Sequence, residues 1–254
     1  MILNQQLLTC ILDLGEILLT SGAEISRVED TMKRMALAYG FMKVDVFSIT
    51  SSIVVTVHTD RGEVLTQTRR IMQYDTDLDK IEKVNCISRQ VCNELLPVQE
   101  LQKTIEEIRL DKGYPEGVLF LFYGIISAAF SLFFGGTVLD AAAAFLCGLL
   151  LRFILNTGVR VGLQNLVLNF LCSAAVGLGA VVITRFGLGQ NIDKIIIGNI
   201  MLLIPGLLFT TSLRDMINGD LITGLLGLCD AVLRALAIAL GFAVIMLQIG
   251  GGML

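Results

Sequence analysis

The stretch Gly198–Gly224, GNIMLLIPGLLFTTSLRDMINGDLITG, opens as an apolar run fit for a membrane. It breaks at Pro205-Gly206 and then places Arg214, Asp215 and Asp220 ahead of another apolar run. Proline cannot donate to a helical ladder and glycine tolerates distortion, so the helix is expected to bend or unwind there. Irregular backbone at membrane depth survives only where protein buries it or a water-filled cavity meets it, and broken helices of that kind bind ions and small polar solutes. A bare proline kink is the plainer reading of the same residues.

Outward from this stretch, the second half of the chain reads as membrane throughout. Gly117 to Gly136 is an uncharged run of twenty, long enough to cross a hydrocarbon layer of ~30 Å at ~1.5 Å per residue. Further spans are expected over about 138–154, 163–184, 192–211 and 221–248, making five, so the two termini face opposite sides. Positive flanks are retained in the cytoplasm. With the N-terminus inside, Arg109, Lys112, Arg152, Arg160 and Arg214 fall on the cytoplasmic side and Arg185 and Lys194 outside, which favours N-in, C-out.

The first half lives in a different solvent. Up to Glu116 the chain carries 13 Lys/Arg and 18 Asp/Glu, against 6 and 5 in all that follows. Overall it is 54% hydrophobic with a mean hydropathy of +0.76, too apolar for a soluble domain of its length. No basic surface argues for nucleic acid. Residues 1–20 lack a basic leader region and carry Asp13 and Glu16 inside the apolar stretch, so they read as an amphipathic helix (Leu7, Ile11, Leu14, Leu18) and not a signal peptide. In SGAEISRVEDTMKRMALAYG (21–40), Ser21 and Glu24 have capping-box spacing, Ile25, Val28, Met32, Met35 and Tyr39 form an apolar stripe, and Gly40 supplies a stop. Glu29 with Lys33 and Asp30 with Arg34 have ion-pair spacing. KVDVFSIT, SIVVTVHT and EVLTQTR, with a turn at Asp60-Arg61-Gly62, predict a three-strand meander. Helical spacing returns over 77–96 and 98–112, divided by Pro97. The expected organisation is a cytoplasmic α+β domain, residues 1–113, followed by an all-α bundle of five transmembrane helices, residues 114–254.

Chemistry-bearing residues are few. His58, the one histidine, sits in a strand pattern with no metal-spaced partner, so neither a metal site nor a cofactor is expected. Ser51 and Ser52 lack a visible base, and no phosphate loop is present. The cysteines (Cys10, Cys86, Cys92, Cys147, Cys172, Cys229) show no CxxC spacing and read as buried free thiols. Inside the spans, ionisable groups cost roughly 2.5–3.5 kcal/mol each at mid-depth, which singles out Asp140, Asp230 and the Arg234 one turn beyond it. Asn169 and Asn199 suit interhelical hydrogen bonds, and Gly224, Gly227, Ala231, Ala235 and Ala239 form a small-residue stripe for close approach to another span or another subunit.

SGAEISRVEDTMKRMALAYG, the following VFSITSSIVVTV, and LLIPGLLFTTSLRDMINGDLITG together resemble the threonine/serine exporter family of bacterial membrane proteins, across nearly the whole chain and in the right order. The resemblance implies a secondary exporter of threonine, serine or related small carboxylic acids, driven by the proton gradient across the bacterial inner membrane. Fused members carry about ten spans; a chain of five resembles the large subunit of the split version, whose partner is a short hydrophobic protein. Association between copies of the chain is left open. Carried over, the family motif points to Gly22, Ala23, Arg27, Val28 and Glu29, and to Pro205, Gly206, Asp215, Gly219 and Gly224. Asp215 and Asp230, then Asp140, are the candidates for proton coupling, with Arg214 and Arg234 as ion-pair partners and Asn199 as a further polar candidate at the broken span. A membrane-anchored ligand sensor and a membrane-tethered hydrolase are the alternatives.

Overall fold

Nearly every apolar side chain of the first helix is buried, because the helix is enclosed on several sides. In the computed structural model, which describes residues 2–72, 75–111 and 113–250, α1 (Ile2–Thr20) packs against α2 (Ile25–Ala38), β2 (Ser52–His58), β3 (Val64–Arg70), α3 (Leu78–Asn93) and α4 (Val98–Leu110). The expected stripe of Leu7, Ile11, Leu14 and Leu18 is buried, and so are Leu8, Leu12 and Leu19 beside it. An apolar surface that wraps a helix demands cover all round. Asp13 and Glu16 are held by Arg69 of β3 and Arg109 of α4. Lys112, counted above with the positive flanks, and residues 251–254 lie outside the described residues.

The sheet is the expected meander: β1 (Lys43–Ile49), β2 and β3 pair antiparallel in the order β1-β2-β3. Val44 faces Val57, and Val55 faces Gln67. Burial alternates cleanly along β2, where Ile53, Val55 and Val57 point into the core, as a half-covered sheet requires. His58 ends β2, half-buried.

Three local expectations fail in whole or in part. Ser21 does not cap α2: its N–H still bonds Ile17 O (3.0 Å), Ala23 N bonds Leu18 O (3.0 Å), and Gly22 sits at φ 87°. Residues 21–23 therefore close the end of α1, and glycine is the residue that adopts this conformation readily. Glu24 is the N-cap of α2 and makes no side-chain cap bond. Glu29 does not pair with Lys33 but accepts from Ser48 N (2.6 Å), whereas Asp30 and Arg34 do pair, at 2.8 Å. The cysteines are all free, but only Cys10, Cys147 and Cys172 are buried; Cys86, Cys92 and Cys229 are exposed.

The apolar half is helical: α5 (Glu116–Phe133), α6 (Val138–Val161), α7 (Asn165–Arg185), α8 (Ile192–Leu203), α9 (Gly206–Asn218) and α10 (Leu221–Gly250). Among these, α5, α6, α7 and α10 are long and apolar enough to cross a membrane, and α8 with α9 forms a pair bent by 50° at Ile204-Pro205. Four spans result, or five with the bent pair. By contact, the chain forms two compact units, residues 1–113 with 207–229, and residues 114–206 with 230–254.

Within the second unit, helices approach closely through small residues. A Cβ on Gly148 would lie 2.6 Å from Ser127 Oγ and from Tyr123 O, and one on Gly198 would lie 2.5 Å from Ser127 O. Buried Ser127 and Ser131 complete this surface of α5, in keeping with the small-residue packing of membrane helices. Gly198→Ala should therefore force α5 and α8 apart and cost about 1–3 kcal/mol. Thermal unfolding of the purified protein in detergent checks this; an unchanged midpoint would contradict the packing.

Candidate functional site

The N-terminal end of α2 needs acceptors, since the first N–H groups of any helix have none inside it. In the first compact unit the acceptor comes from far along the chain: Ile25 N donates to Asp215 Oδ1 at 3.2 Å. Asp215, on α9, is only 6% exposed. Its neighbours on α9 grip the same end of α2, Arg214 by an ion pair with Glu24 and Asn218 Nδ2 by a bond to Ser26 Oγ at 3.4 Å. The carboxylate of Asp215 thus stands at the positive pole of the α2 dipole. Arg214 binds Glu24, not the adjacent Asp215.

The chain following these contacts is shaped by glycine. Gly219 N bonds Met216 O, Asp220 N bonds Asp215 O, and Gly219 has φ 104°, a left-handed terminus for α9. The turn leads straight into α10, which lies hard against α9. A Cβ on Gly224 would come within 2.4 Å of Met216 Cγ, and one on Gly227 within 2.3 Å of Ser212 Oγ. The first part of the small-residue stripe is therefore used between spans of one chain, whereas Ala235 and Ala239 remain exposed.

The two motif segments, Gly22–Glu29 and Arg214–Gly224, meet in this way. Arg214 pairs with Glu24, the charges of Glu24, Asp220 and Arg214 act on Asp215, and Asp220 acts on Glu29 as well. Burial, the largest effect, lifts Glu29 above the usual carboxylate range; the Ser48 N–H pulls it back, and the Asp220 carboxylate adds to the lift. Beside Glu29 a groove of about 370 Å³ runs between α2 and β1, lined by Ser26, Glu29, Asp30, Lys33, Val44, Asp45 and Val46. Ala23 and Val28 are buried supports, and Arg27 is exposed.

The other candidates lie in the second unit. Asp140 closes a capping box with Thr137 at the start of α6 and also accepts from Gln190 N (2.6 Å), Asn191 N (2.9 Å) and Asn191 Nδ2 (2.9 Å). Five donors surround it. Asn199 ties α8 to α5 and α6, accepting from Ser127 Oγ (3.0 Å) and donating to Ala144 O (3.3 Å). Asp230 pairs with Arg234 at 2.7 Å. At the break, Gly206 N bonds Ile204 O (2.8 Å). Arg152 of α6 pairs with Glu116 (3.1 Å) and lies over the Tyr123 ring. Ser52 and His58 occupy opposite ends of β2, ~20 Å apart at strand spacing, so they form no nucleophile–base pair.

Spans in this number, joined to a small α+β portion, define a multi-pass membrane protein. Residues 9–249 match the model of the putative threonine/serine exporter family, and the chain belongs to that family, one of transporters and not enzymes. It is 24% identical to a threonine/serine exporter of Corynebacterium glutamicum over 83% of its own length and 44% of that protein. It is 25% identical to the probable succinate transporter subunit YjjP of Klebsiella aerogenes, over 92% of this chain and 90% of the other. Pheromone-regulated membrane protein 10 of Eremothecium gossypii matches at 24% over 71% of this chain and 25% of its own length. The chain thus spans less than half of two of these relatives and most of the third. No solved structure matches.

Two outcomes follow from the α2–α9 junction. Asp215→Ala removes the cap on Ile25, a loss of about 1–2 kcal/mol; hydrogen exchange at the first α2 amides should rise about tenfold or more, and Asp215→Asn, which keeps an acceptor, should restore most of the protection. Equal exchange in both variants and wild type would contradict the cap.

For Glu29 the raised pKa means that the folded state binds the extra proton. Its stabilising contribution is complete below the ordinary Glu pKa of ~4.3 and is lost as pH rises through the higher folded value. Relative to Glu29→Gln, the wild-type melting midpoint should fall as pH rises across that window and then level off; a difference independent of pH would refute the assignment.

Proposed function

We propose that this chain is a subunit of a proton-gradient-driven secondary exporter of small amino acids such as threonine and serine, or of related small carboxylic acids. It works in the bacterial inner membrane with a short hydrophobic partner subunit. Family membership supports the transport class, and a relative of nearly equal length is named a transporter subunit. The observation that carries the reading is the buried Asp215 carboxylate holding the start of α2, with Glu24 and Asp220 acting on it and Arg214 paired to Glu24.

In this reading residues 1–113 form the cytoplasmic domain and residues 114–254 the membrane domain, with the C-terminus outside. Arg152, Arg160 and Arg214 then sit on the cytoplasmic side. Proton binding at Asp215 removes the negative charge that favours the N-terminus of α2 and loosens the grip of α9 on the soluble domain. The bent pair α8–α9 is the element whose two arrangements the proton selects, and Gly206 and Gly219 are its flexible ends. The groove offers Lys33 to a carboxylate and Glu29, Asp30 and Asp45 to an ammonium group, the complement of a zwitterionic amino acid. Asp230 is the second coupling candidate. Asp140, already occupied by five donors, serves as a clamp between the start of α6 and the start of α8. That same groove also supports a second reading, a membrane-anchored sensor that binds such a ligand without moving it.

Proteoliposomes holding this chain with its partner, loaded with threonine, serine or succinate, separate the two. Export predicts efflux that requires a proton gradient, stops with an uncoupler, and loses its gradient dependence in Asp215→Asn. Ligand binding without flux, under conditions where the complex is intact, would leave the sensor.

A further inference from the structure

Helix α10 exposes apolar residues on two sides, and the two sides differ. The far side, with Leu225, Val232 and Leu236 exposed, carries no charge and suits lipid. The near side repeats in sevens: Leu226, Leu233 and Leu240 are 52%, 50% and 58% exposed, and Asp230, Ala237 and Val244 alternate with them at the same period. That is the a/d pattern of a left-handed helix seam, the commonest packing of membrane helices.

Apolar residues alone would be equally content in lipid. Asp230 would not. It lies nine residues past Leu221 on a helix long and apolar enough to span, ~14 Å along it at ~1.5 Å per residue and so near the middle of a ~30 Å core. Its side chain is 40% exposed. Ionisable groups at that depth face protein or water, not lipid. Its partner Arg234 is under-used: one of the guanidinium's five N–H donors reaches Asp230 Oδ2, and its Nε is buried with no partner among the described residues.

We propose that two copies of this chain pair along this seam, with α10 against α10 and Asp230 and Arg234 at its centre. A two-fold axis along the membrane normal sets each residue opposite its own equivalent at the same depth. The pair carries one acid and one base, so it complements its own copy: each Arg234 reaches both Asp230 carboxylates, and the four charges sum to zero. A single polar residue at an a position also fixes the register of such a seam. The inference needs α10 to span the membrane; it does not need the transport reading.

Cys229 stands next to Asp230 and is exposed, which gives a native reporter. With the other cysteines replaced by alanine, a short homobifunctional maleimide added to membranes should link Cys229 to Cys229 and yield a species of twice the 27.6 kDa chain mass. A thiol moved to the lipid side (Cys229→Ser with Val232→Cys) should give none. Should the cysteine replacements unfold the chain, single-molecule photobleaching of the wild-type protein diluted in liposomes should still show two steps, and Asp230→Asn should lower the paired fraction by about three- to tenfold. Single steps at all dilutions, linking as strong from position 232, linking to a different polypeptide only, or labelling of Cys229 by a charged, impermeant maleimide as fast as an exposed thiol would each overturn the pairing. Substrate efflux is a separate measurement, so failure of this seam and failure of the transport reading are told apart.

Discussion

The bond from Ile25 N to Asp215 Oδ1 joins chain positions 190 residues apart, and the hold of α9 on the start of α2 depends on it. Glu24 begins α2 without turning its side chain back to cap it, so the helix start is left needing an external acceptor. Asp215 supplies one, and with it a charge placed where the helix dipole favours it. Arg214 and Asn218 then hold Glu24 and Ser26 on either side. Remove the carboxylate and the amide loses both partner and counter-field at once, because water has little access to a side chain this buried.

The same locus concentrates negative charge. Carboxylates gathered in this way are stable only while some are solvated, hydrogen-bonded or protonated. Glu29 uses the Ser48 amide, Glu24 uses Arg214, and Asp215 uses Ile25. Each therefore depends on an element other than its own, so a change in any one protonation state is felt by a neighbouring helix or strand. That is the physical requirement for linking a proton to a movement: a titrating group whose two states differ in contacts with a mobile element.

Much of this was legible from sequence. The meander, the order of helices, the broken span at Pro205-Gly206 and the Asp230–Arg234 pair follow from periodicity, turn residues and i,i+4 spacing, all of them local. What escaped was non-local. Ser21 and Glu24 have the spacing of a capping box, but Gly22 can turn left-handed, and residues 21–23 were taken into the end of α1. Glu29 had a lysine at ideal distance along its helix and bonded a strand amide instead, because burial rewards a satisfied backbone N–H more than a solvated ion pair. Ser26, Ser48 and Asn218 carried no signal as individual residues; only the fold makes them partners. The absence of a cap at Glu24 could not be foreseen, because no local residue signals it.

The ionisable groups of the apolar half show how cost decides role. Asp140 is surrounded by five donors; removing its carboxylate would leave several of them without an acceptor. Arg152 reaches Glu116 at the start of α5 and shelters against Tyr123, the behaviour of a long cation drawing its charge toward the interface. Asp230 has a single partner on its own helix and remains partly open. A carboxylate with one bond and an exposed face is the one whose surroundings are incomplete in a single chain. For that reason the missing part of this molecule's environment lies along α10, and not around the saturated Asp140.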